Sequence, residues 1–238
     1  ATVFDHFCGG TTEVDCLSVV DKMYTKGVSS VLDYSVEGKE EEAQFDAALN
    51  MTLKTVDFAK ERQAIPFAVF KPTGLGRIAL YEKVGLKHPL TENEQSEWNR
   101  VCERFDIICK TAHAKDVALL IDAEESWMQD AADDLVEEMM RRYNKEKAIV
   151  FNTLQMYRWD RLDYLKQLHQ RAQADGFYIG MKLVRGAYME KENDRAQQMG
   201  QQSPICPSKA ATDDNYNAAV DYMMEHIDRM AIFAGTNN

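Results

Sequence analysis

Residues 148–184 read AIVFNTLQMYRWDRLDYLKQLHQRAQADGFYIGMKLV, and this stretch decides the fold. It opens with an apolar, β-branched run and closes with a second one, FYIGMKLV, and both are typical of strands covered on two faces. Between them Leu162, Leu165 and Leu168 recur at helical spacing. Gly176 then stands where a left-handed helix stop belongs. A strand, a helix and a second strand in this order predict a parallel βαβ unit.

The same alternation extends outward over the chain. Four more strand candidates flank this unit: SSVLDYSV from Ser29, IPFAVFK from Ile65, VALLIDA from Val117 and MAIFAGT from Met230. Successive strands start about 30 to 50 residues apart, which is the spacing of βα units in a TIM barrel. We therefore predict an α/β fold, a (βα)8 TIM-like barrel to which this chain contributes about six βα units, in a single domain over residues 1–238.

Local signals add detail to this architecture. Two S/T-x-x-E/Q capping boxes predict helix starts, and they are formed by Thr91 with Glu94 and by Ser126 with Gln129. The two longest intervals between strands hold insertions, residues 72–89 and residues 197–214. Because loops that follow strands line the active face of a barrel, we expect both insertions to be lids.

Composition excludes several classes of protein. The chain carries 28 Lys and Arg against 39 Asp and Glu, a formal charge of −11, which argues against a nucleic-acid reader because phosphate binding needs positive charge. It has no run of about eighteen apolar residues, so we expect no transmembrane segment. Five cysteines without a C-x-x-C pair fit a reducing compartment. Five scattered histidines without ligand spacing predict no metal site.

Polar side chains follow every predicted strand at its carboxyl end, where the reactive groups of a barrel project. They are Asp33 and Glu37, Lys71, Asp122 and Glu124, Gln155, Lys182 with Arg185 and Tyr188, and Thr236, Asn237 and Asn238. We expect them to converge on one site. Lys71 and Lys182 facing Asp122 make a cationic pocket with one carboxylate, which suits a small anionic substrate or a phosphorylated cofactor. In the RGAY turn, Gly186 and Ala187 let backbone amides approach a phosphate.

A competing motif is TGLGRIA, which fits the G-x-G-x-x-A dinucleotide fingerprint. The matching residues are Gly74, Gly76 and Ala79. Lys71 and Pro72 interrupt the junction between strand and turn. The helix that follows is cut short by Gly85 and Pro89, which leaves too little helix for a pyrophosphate site, so we expect no Rossmann site here.

Four strings resemble the proline dehydrogenase family: KLVRGAYMEKE from Lys182, LLIDAEES from Leu119, TLQMYRWDRLDYL from Thr153 and FAVFKPTGLGR from Phe67. HFCGG at His6 and VLDYSVEGK at Val31 are similar to its eukaryotic-type branch, which also occurs in bacteria. The resemblance implies a distorted (βα)8 barrel that binds FAD. It further implies oxidation of L-proline to Δ1-pyrroline-5-carboxylate in proline catabolism, with hydride transfer to flavin N5 and electrons passed to a membrane quinone.

The resemblance also implies roles for individual residues. Asp122 matches the active-site aspartate and Lys71 the lysine that pairs with the proline carboxylate. Lys182 falls where many bacterial members have a catalytic arginine close to flavin N5. Contacts with the flavin cofactor are implied for Ala123, Gln155, Val184, Arg185, Gly186, Ala187, Tyr188, Thr236 and Asn237. Asn237 stands where the family has the histidine of a Thr-His or Ser-His pair.

The family pattern continues beyond the last residue of this sequence. It includes two more strands and a last helix that carries a tyrosine and two consecutive arginines, which bind the substrate carboxylate. Because this sequence stops at Asn238, we expect a barrel domain that is incomplete at its carboxyl end, either as part of a longer polypeptide or as an incomplete form.

Several alternatives stay open. One is a hydroxyproline dehydrogenase. Another is a Schiff-base aldolase or lyase, with Lys71 or Lys182 as nucleophile and Asp122 or Glu124 as general acid or base. A third is a non-catalytic barrel fragment that binds a partner through exposed edge strands, and an oligomer is compatible with all of them. The absence of an Arg-rich leader favours the bacterial cytoplasm, peripheral to the inner membrane, over the matrix side of the mitochondrial inner membrane.

Overall fold

The computed structural model describes residues 12–33 and 39–236. The strands are β1 (Val31–Leu32), β2 (Phe67–Phe70), β3 (Ala118–Ile121), β4 (Val150–Gln155), β5 (Ile179–Val184) and β6 (Met230–Ala234). The helices are α1 (Glu13–Tyr24), α2 (Glu42–Lys60), α3 (Ile78–Gly85), α4 (Glu92–Lys115), α5 (Ser126–Tyr143), α6 (Arg161–Asp175), α7 (Met189–Met199) and α8 (Lys209–Glu225). A single 3-10 turn, Pro72–Gly74, follows β2. The predicted alternation of six strands with helices is confirmed.

The strands form one parallel sheet in which each strand pairs with its neighbours along the chain, in the order β1-β2-β3-β4-β5-β6. Phe70 at the end of β2 lies opposite Ile121 at the end of β3. Gln155 at the end of β4 lies opposite Val184 at the end of β5. The residues that follow these strands therefore emerge along one edge of the sheet, which we call the carboxyl edge.

The sheet curls into a half-barrel. Phe67 on β2 and Phe233 on β6 have ring centroids only 5.1 Å apart, although four strand spacings of about 4.8 Å would separate them by roughly 19 Å in a flat sheet. Phe151 on β4 meets Phe67 edge to face at 5.9 Å, so aromatic rings from three strands pack on the inner face. This curvature confirms the expected TIM-like barrel architecture, of which the described residues supply six strands and the helices between them.

The helices cover the outer face of the sheet. Val101 and Phe105 of α4 and Met128 of α5 are fully buried in the same apolar core as Ile121 of β3. Every residue of β4 is buried, as expected for a strand with packing on both faces. The first strand is shorter than its sequence suggested, because only Val31–Leu32 pair with β2 and the end of the SSVLDYSV run lies outside the described residues.

The helix signals are confirmed in two places and wrong in one. Thr91 caps α4 in a reciprocal capping box with Glu94, and Gly176 ends α6 with a left-handed φ of 69°. The predicted box at Ser126 is absent, because Ser126 is the first residue of α5 and its hydroxyl donates to Glu192 instead. The Gln129 side chain accepts a hydrogen bond from the backbone N–H of Glu124.

The two insertions differ in character. Residues 72–89 contain α3, which buries Leu80 and Tyr81 in the helical layer, and the Tyr81 hydroxyl donates to the Pro72 carbonyl at 2.8 Å. This insertion is packed structure, so its prediction as a lid is wrong. A Cβ at Gly76 would lie 2.5 Å from Val101 Cγ2, so this glycine of the TGLGRIA motif serves close helix packing. Residues 197–214 instead contain the end of α7, a loop and the start of α8.

Candidate active site

Two lysines and one aspartate meet at the carboxyl edge. Asp122 directly follows β3, Lys71 directly follows β2, and Lys182 lies within β5. The Lys182 ammonium donates to Asp122 Oδ1 at 2.6 Å, and the Lys71 ammonium donates to Asp122 Oδ2 at 3.0 Å. One carboxylate therefore bridges two cations that come from strands on either side of it. The convergence is as predicted, but Lys182 lies inside β5 and not after its end.

Asp33, which follows β1, completes this cluster. Its Oδ2 lies 3.4 Å from the Lys71 ammonium. The side chains of Lys71, Asp122 and Lys182 are 14%, 17% and 19% exposed, whereas that of Asp33 is 39% exposed. The site is therefore sheltered but open on the Asp33 side, and its four formal charges cancel. We call these four residues the lysine–aspartate cluster.

The protonation of Lys71 bears on what it can do chemically. Burial opposes the charged form, but the charge and hydrogen bond of Asp122, assisted by those of Asp33, outweigh it and raise the pKa of Lys71 above its ordinary value. A Schiff-base nucleophile needs the neutral amine, for which enzymes lower the pKa of a lysine. Lys71 is therefore suited to hold an anion and unsuited to attack a carbonyl group.

Two other polar residues near the strand ends, Gln155 and Glu124, have different hydrogen-bond partners. Gln155 is buried and its side-chain amide donates to the carbonyl of Ala123, the residue after Asp122, at 3.4 Å. Glu124 is also buried, but its two oxygens accept hydrogen bonds from Thr73. The expectation that Glu124 joins the lysines and Asp122 as an acid or base is therefore replaced by a bracing role.

A cavity of about 1140 Å³ opens beside β5, and the Arg185–Tyr188 segment lines one wall. Gly186 has a φ of 135°, and a Cβ at this position would lie 2.6 Å from the ring of Tyr157, so the turn requires glycine. Arg185 donates to Asp213 at 2.5 Å and to the Thr236 hydroxyl at 3.1 Å. The structure thus brings together Arg185, Gly186 and Thr236, as expected. Val184 ends β5 next to this turn.

The opposite wall of the cavity comes from the second insertion. Ser208 caps the N-terminus of α8, and Ser208 and Lys209 both line the cavity. The loop before them is pinned by the backbone N–H of Cys206, which donates to the Tyr157 carbonyl at 2.6 Å. Sequence reasoning did not single out Tyr157, Ser208 or Lys209. The signal was present in SPICPSK, since a serine after a turn and before a helical stretch is a helix cap.

Three of the residues singled out from the sequence, Glu37, Asn237 and Asn238, lie outside the described residues. Within residues 12–33 and 39–236, the His, Cys, Asp and Glu side chains form no group of three that could hold a metal ion. In the same ranges, no helix combines the length and apolar character that crossing a bilayer requires.

The sequence matches the family described as proline dehydrogenase over residues 16–238. It is 38% identical to the carbapenem antibiotics biosynthesis protein CarD of Pectobacterium carotovorum subsp. carotovorum over 232 residues, which are 98% of this chain and 61% of that protein. It is 28% identical to the mitochondrial proline dehydrogenase 1 of Dictyostelium discoideum over 263 residues, covering 94% of this chain and 46% of that protein.

The fold has close counterparts among solved structures. Proline utilization A from Bdellovibrio bacteriovorus superimposes with a TM-score of 0.81 at 18% sequence identity, covering 97% of this chain and 25% of that one. These two curated relatives match nearly all of this chain, but the chain spans only about half of their length. Because the family match extends over nearly all of the sequence, the chain belongs to the proline dehydrogenase family.

Proposed function

We propose that the protein oxidises L-proline to Δ1-pyrroline-5-carboxylate with FAD as its cofactor. The observation that carries this proposal is the lysine–aspartate cluster, because a chain of this family places Lys71, Asp122 and Lys182 in contact at the carboxyl edge. Relatives that match most of the chain include proteins named mitochondrial proline dehydrogenase. The same positions are those to which the family resemblance assigns substrate binding and catalysis.

The charges of the cluster suit this substrate. Two ammonium groups and two carboxylates sum to zero, which favours a ligand without net charge, such as an amino-acid zwitterion, over a dianion. Lys71 would pair with the proline carboxylate and so fix the ring carbon that is oxidised. Lys182 would keep a positive charge where negative charge develops, and Asp122 would hold both ammonium groups in place.

The residues around the cavity fit FAD. A volume of about 1140 Å³ is ample for a large cofactor, and the N-terminus of α8 with Lys209 offers backbone and side-chain donors to phosphate. Tyr157 is buried and lines this cavity beside the Arg185–Tyr188 segment. We assign contacts with the cofactor to Arg185, Gly186, Ala187 and Tyr188, which line the cavity. The family resemblance adds Ala123, Gln155, Val184, Thr236 and Asn237. FAD would supply the hydride acceptor.

The electron acceptor and the location follow from the same proposal. Electrons would pass to a membrane quinone, with the protein in the bacterial cytoplasm and peripheral to the inner membrane, or on the matrix side of the mitochondrial inner membrane. Relatives of both origins support these two settings. The product would enter proline catabolism, and the 38% identity to CarD supports a second use of the same reaction, in antibiotic biosynthesis.

The test is the visible absorption spectrum of the purified, complete protein, followed by anaerobic addition of L-proline. Flavin bands that bleach with L-proline, and not with a carbonyl substrate, are the expected result. Bands that bleach only with hydroxyproline would move the substrate to the alternative dehydrogenase. A colourless protein that gains no bands with added FAD would refute the proposal, and borohydride trapping with a carbonyl substrate would then test the lyase alternative.

A further inference from the structure

Two buried glutamates lie next to the active site without belonging to the lysine–aspartate cluster. Glu124 is 2% exposed and Glu192 is 1% exposed. Glu124 accepts the backbone N–H of Thr73 at 2.9 Å and the Thr73 hydroxyl at 2.6 Å. Glu192 accepts the backbone N–H of Ser126 at 2.6 Å and the Ser126 hydroxyl at 2.6 Å. We call these two arrangements the Thr73 bracket and the Ser126 bracket.

The Thr73 bracket joins the two loops that carry the Lys71–Asp122 ion pair. Thr73 lies two residues after Lys71, and Glu124 lies two residues after Asp122. Both loops leave the sheet where β2 and β3 have stopped pairing, since the last paired residues are Phe70 and Ile121. The bracket therefore fixes the separation of the loops just beyond the end of the sheet hydrogen bonds.

The Ser126 bracket joins the first turns of α5 and α7, which follow two loops that the sheet leaves apart. Ser126 follows the Asp122 loop of β3, whereas Glu192 lies in the first turn of α7, directly after the Arg185–Tyr188 segment of β5. Because β4 lies between β3 and β5 in the sheet, no strand pairing connects these loops. A second link, between Lys191 and Glu125, reinforces the same junction.

The chemistry of both brackets gives them a defined geometry. In each, two parallel hydrogen bonds run from one residue to the two oxygens of a carboxyl group, and charge-assisted bonds of this kind hold both distance and orientation. Their burial strengthens the bonds and makes loss of a donor costly. Replacing the hydroxyl by a methyl group or a hydrogen removes one bond of the pair and leaves the backbone N–H bond in place.

We propose that Glu124 and Glu192 are positioning residues for the proposed proline oxidation, with separate tasks. Glu124 acts through Thr73 to place Lys71 against Asp122 and so determines how tightly the substrate carboxylate is bound. Glu192 acts through Ser126 to place the Arg185–Tyr188 segment and so determines how tightly the cofactor is bound. This inference rests on the proposed function for what each loop binds, and on the hydrogen bonds alone for the coupling of the loops.

The test uses holoenzyme variants that change only the hydroxyl group. Thr73→Val is expected to raise KM for L-proline about tenfold, with kcat within about threefold and flavin affinity as in the wild type, because it weakens substrate binding alone. Ser126→Ala is expected to weaken flavin affinity about tenfold while KM for L-proline at saturating flavin stays near the wild-type value. Thr73→Ser and Ser126→Thr keep the hydroxyl and should restore both constants.

A matched control is Thr52→Val, since the Thr52 hydroxyl is also buried but donates to the Ala48 carbonyl within its own helix, α2. Equal changes of KM, kcat and flavin affinity in both bracket variants, or no change in either, would overturn the inference, because a merely structural role would not separate the two constants. The hydrogen-exchange rates of residues 70–77 and 121–126, measured without L-proline, test the coupling of these two loops independently of activity. Faster exchange of both segments in Thr73→Val than in Thr52→Val is expected, and unchanged exchange would overturn the inference even if proline proves not to be the substrate.

Discussion

Replacing Lys71 by methionine is the sharpest test of the substrate site. Methionine keeps the unbranched apolar stem of the side chain and removes only the ammonium group, so packing beneath the site is retained. In the proposed complex, the Lys71 ammonium meets the proline carboxylate in a pocket where its own side chain is 14% exposed. The variant should therefore bind L-proline much more weakly while it retains its flavin.

The size of the effect follows from the ion pairs that Lys71 already makes. Removing one partner of a buried, hydrogen-bonded charge pair costs about 2–5 kcal/mol. Binding to the substrate also competes with the contacts to Asp122 at 3.0 Å and Asp33 at 3.4 Å, so the lower part of that range applies. A loss of about 2–3 kcal/mol corresponds to a KM about 30 to 150 times higher, at about 1.4 kcal/mol per factor of ten.

The assay combines two measurements on the complete holoenzyme. Anaerobic bleaching of the flavin bands against L-proline concentration gives the apparent affinity, and the absorbance before substrate addition gives the flavin content. Lys60→Met, on the exposed end of α2, makes the same change of net charge and should behave as the wild type. Loss of flavin from Lys71→Met, or a KM within about threefold of the wild type, would refute the assignment of Lys71 to the substrate carboxylate.

Two further predictions concern the cofactor loop and acid stability. Gly186→Ala should abolish flavin binding, because its Cβ would lie 2.6 Å from the Tyr157 ring. The control is Gly200→Ala, which is also at positive φ but in open space, and it should lower the free energy of unfolding by only about 1 kcal/mol and keep the flavin. Flavin absorbance and thermal melts measure the two effects. A hydrogen bond from Arg100, assisted by Arg104, lowers the pKa of Glu42 from 4.5 to about 2. The Glu42 carboxylate thus stabilises the fold above pH 4.5 and loses this effect as pH falls towards 2. Glu42→Gln should lower Tm at pH 7 by about 2–4 °C, a modest shift because solvent screens a side chain that is 40% exposed, and the difference should vanish near pH 2; a difference that grows on acidification would contradict the assignment.

Much of the fold was predictable because its signals are local. The apolar runs from Ile65, Val117 and Ala148 are covered on both faces in the structure, and such unbroken apolar runs can be recognised without knowledge of the partners. The same holds for the convergence of Lys71 and Asp122, since parallel strands that pair in chain order must end at one edge. The architecture and the core of the site followed from these two rules.

The wrong predictions concern side chains whose local sequence is compatible with two different interactions. In each case a residue distant in the chain determines which interaction forms. Ser126 satisfied the spacing of a capping box, but Glu192, 66 positions away, takes its hydroxyl. Glu124 had the type and place of a catalytic acid, and Thr73, 51 positions away, occupies both its oxygens. Such pairings depend on the three-dimensional arrangement of loops, for which one sequence carries no periodic signal.

The contact between Phe67 and Phe233 has a consequence for how the protein is made. Each strand pairs only with strands adjacent in the chain, so the sheet can grow in the order in which the ribosome delivers it. The contact between Phe67 and Phe233 cannot follow this order, because the ring on β2 must wait for its partner on β6, four strands later in the chain. During synthesis the part of the inner face around Phe67 that Phe233 covers therefore stays exposed to water until the sixth strand has formed.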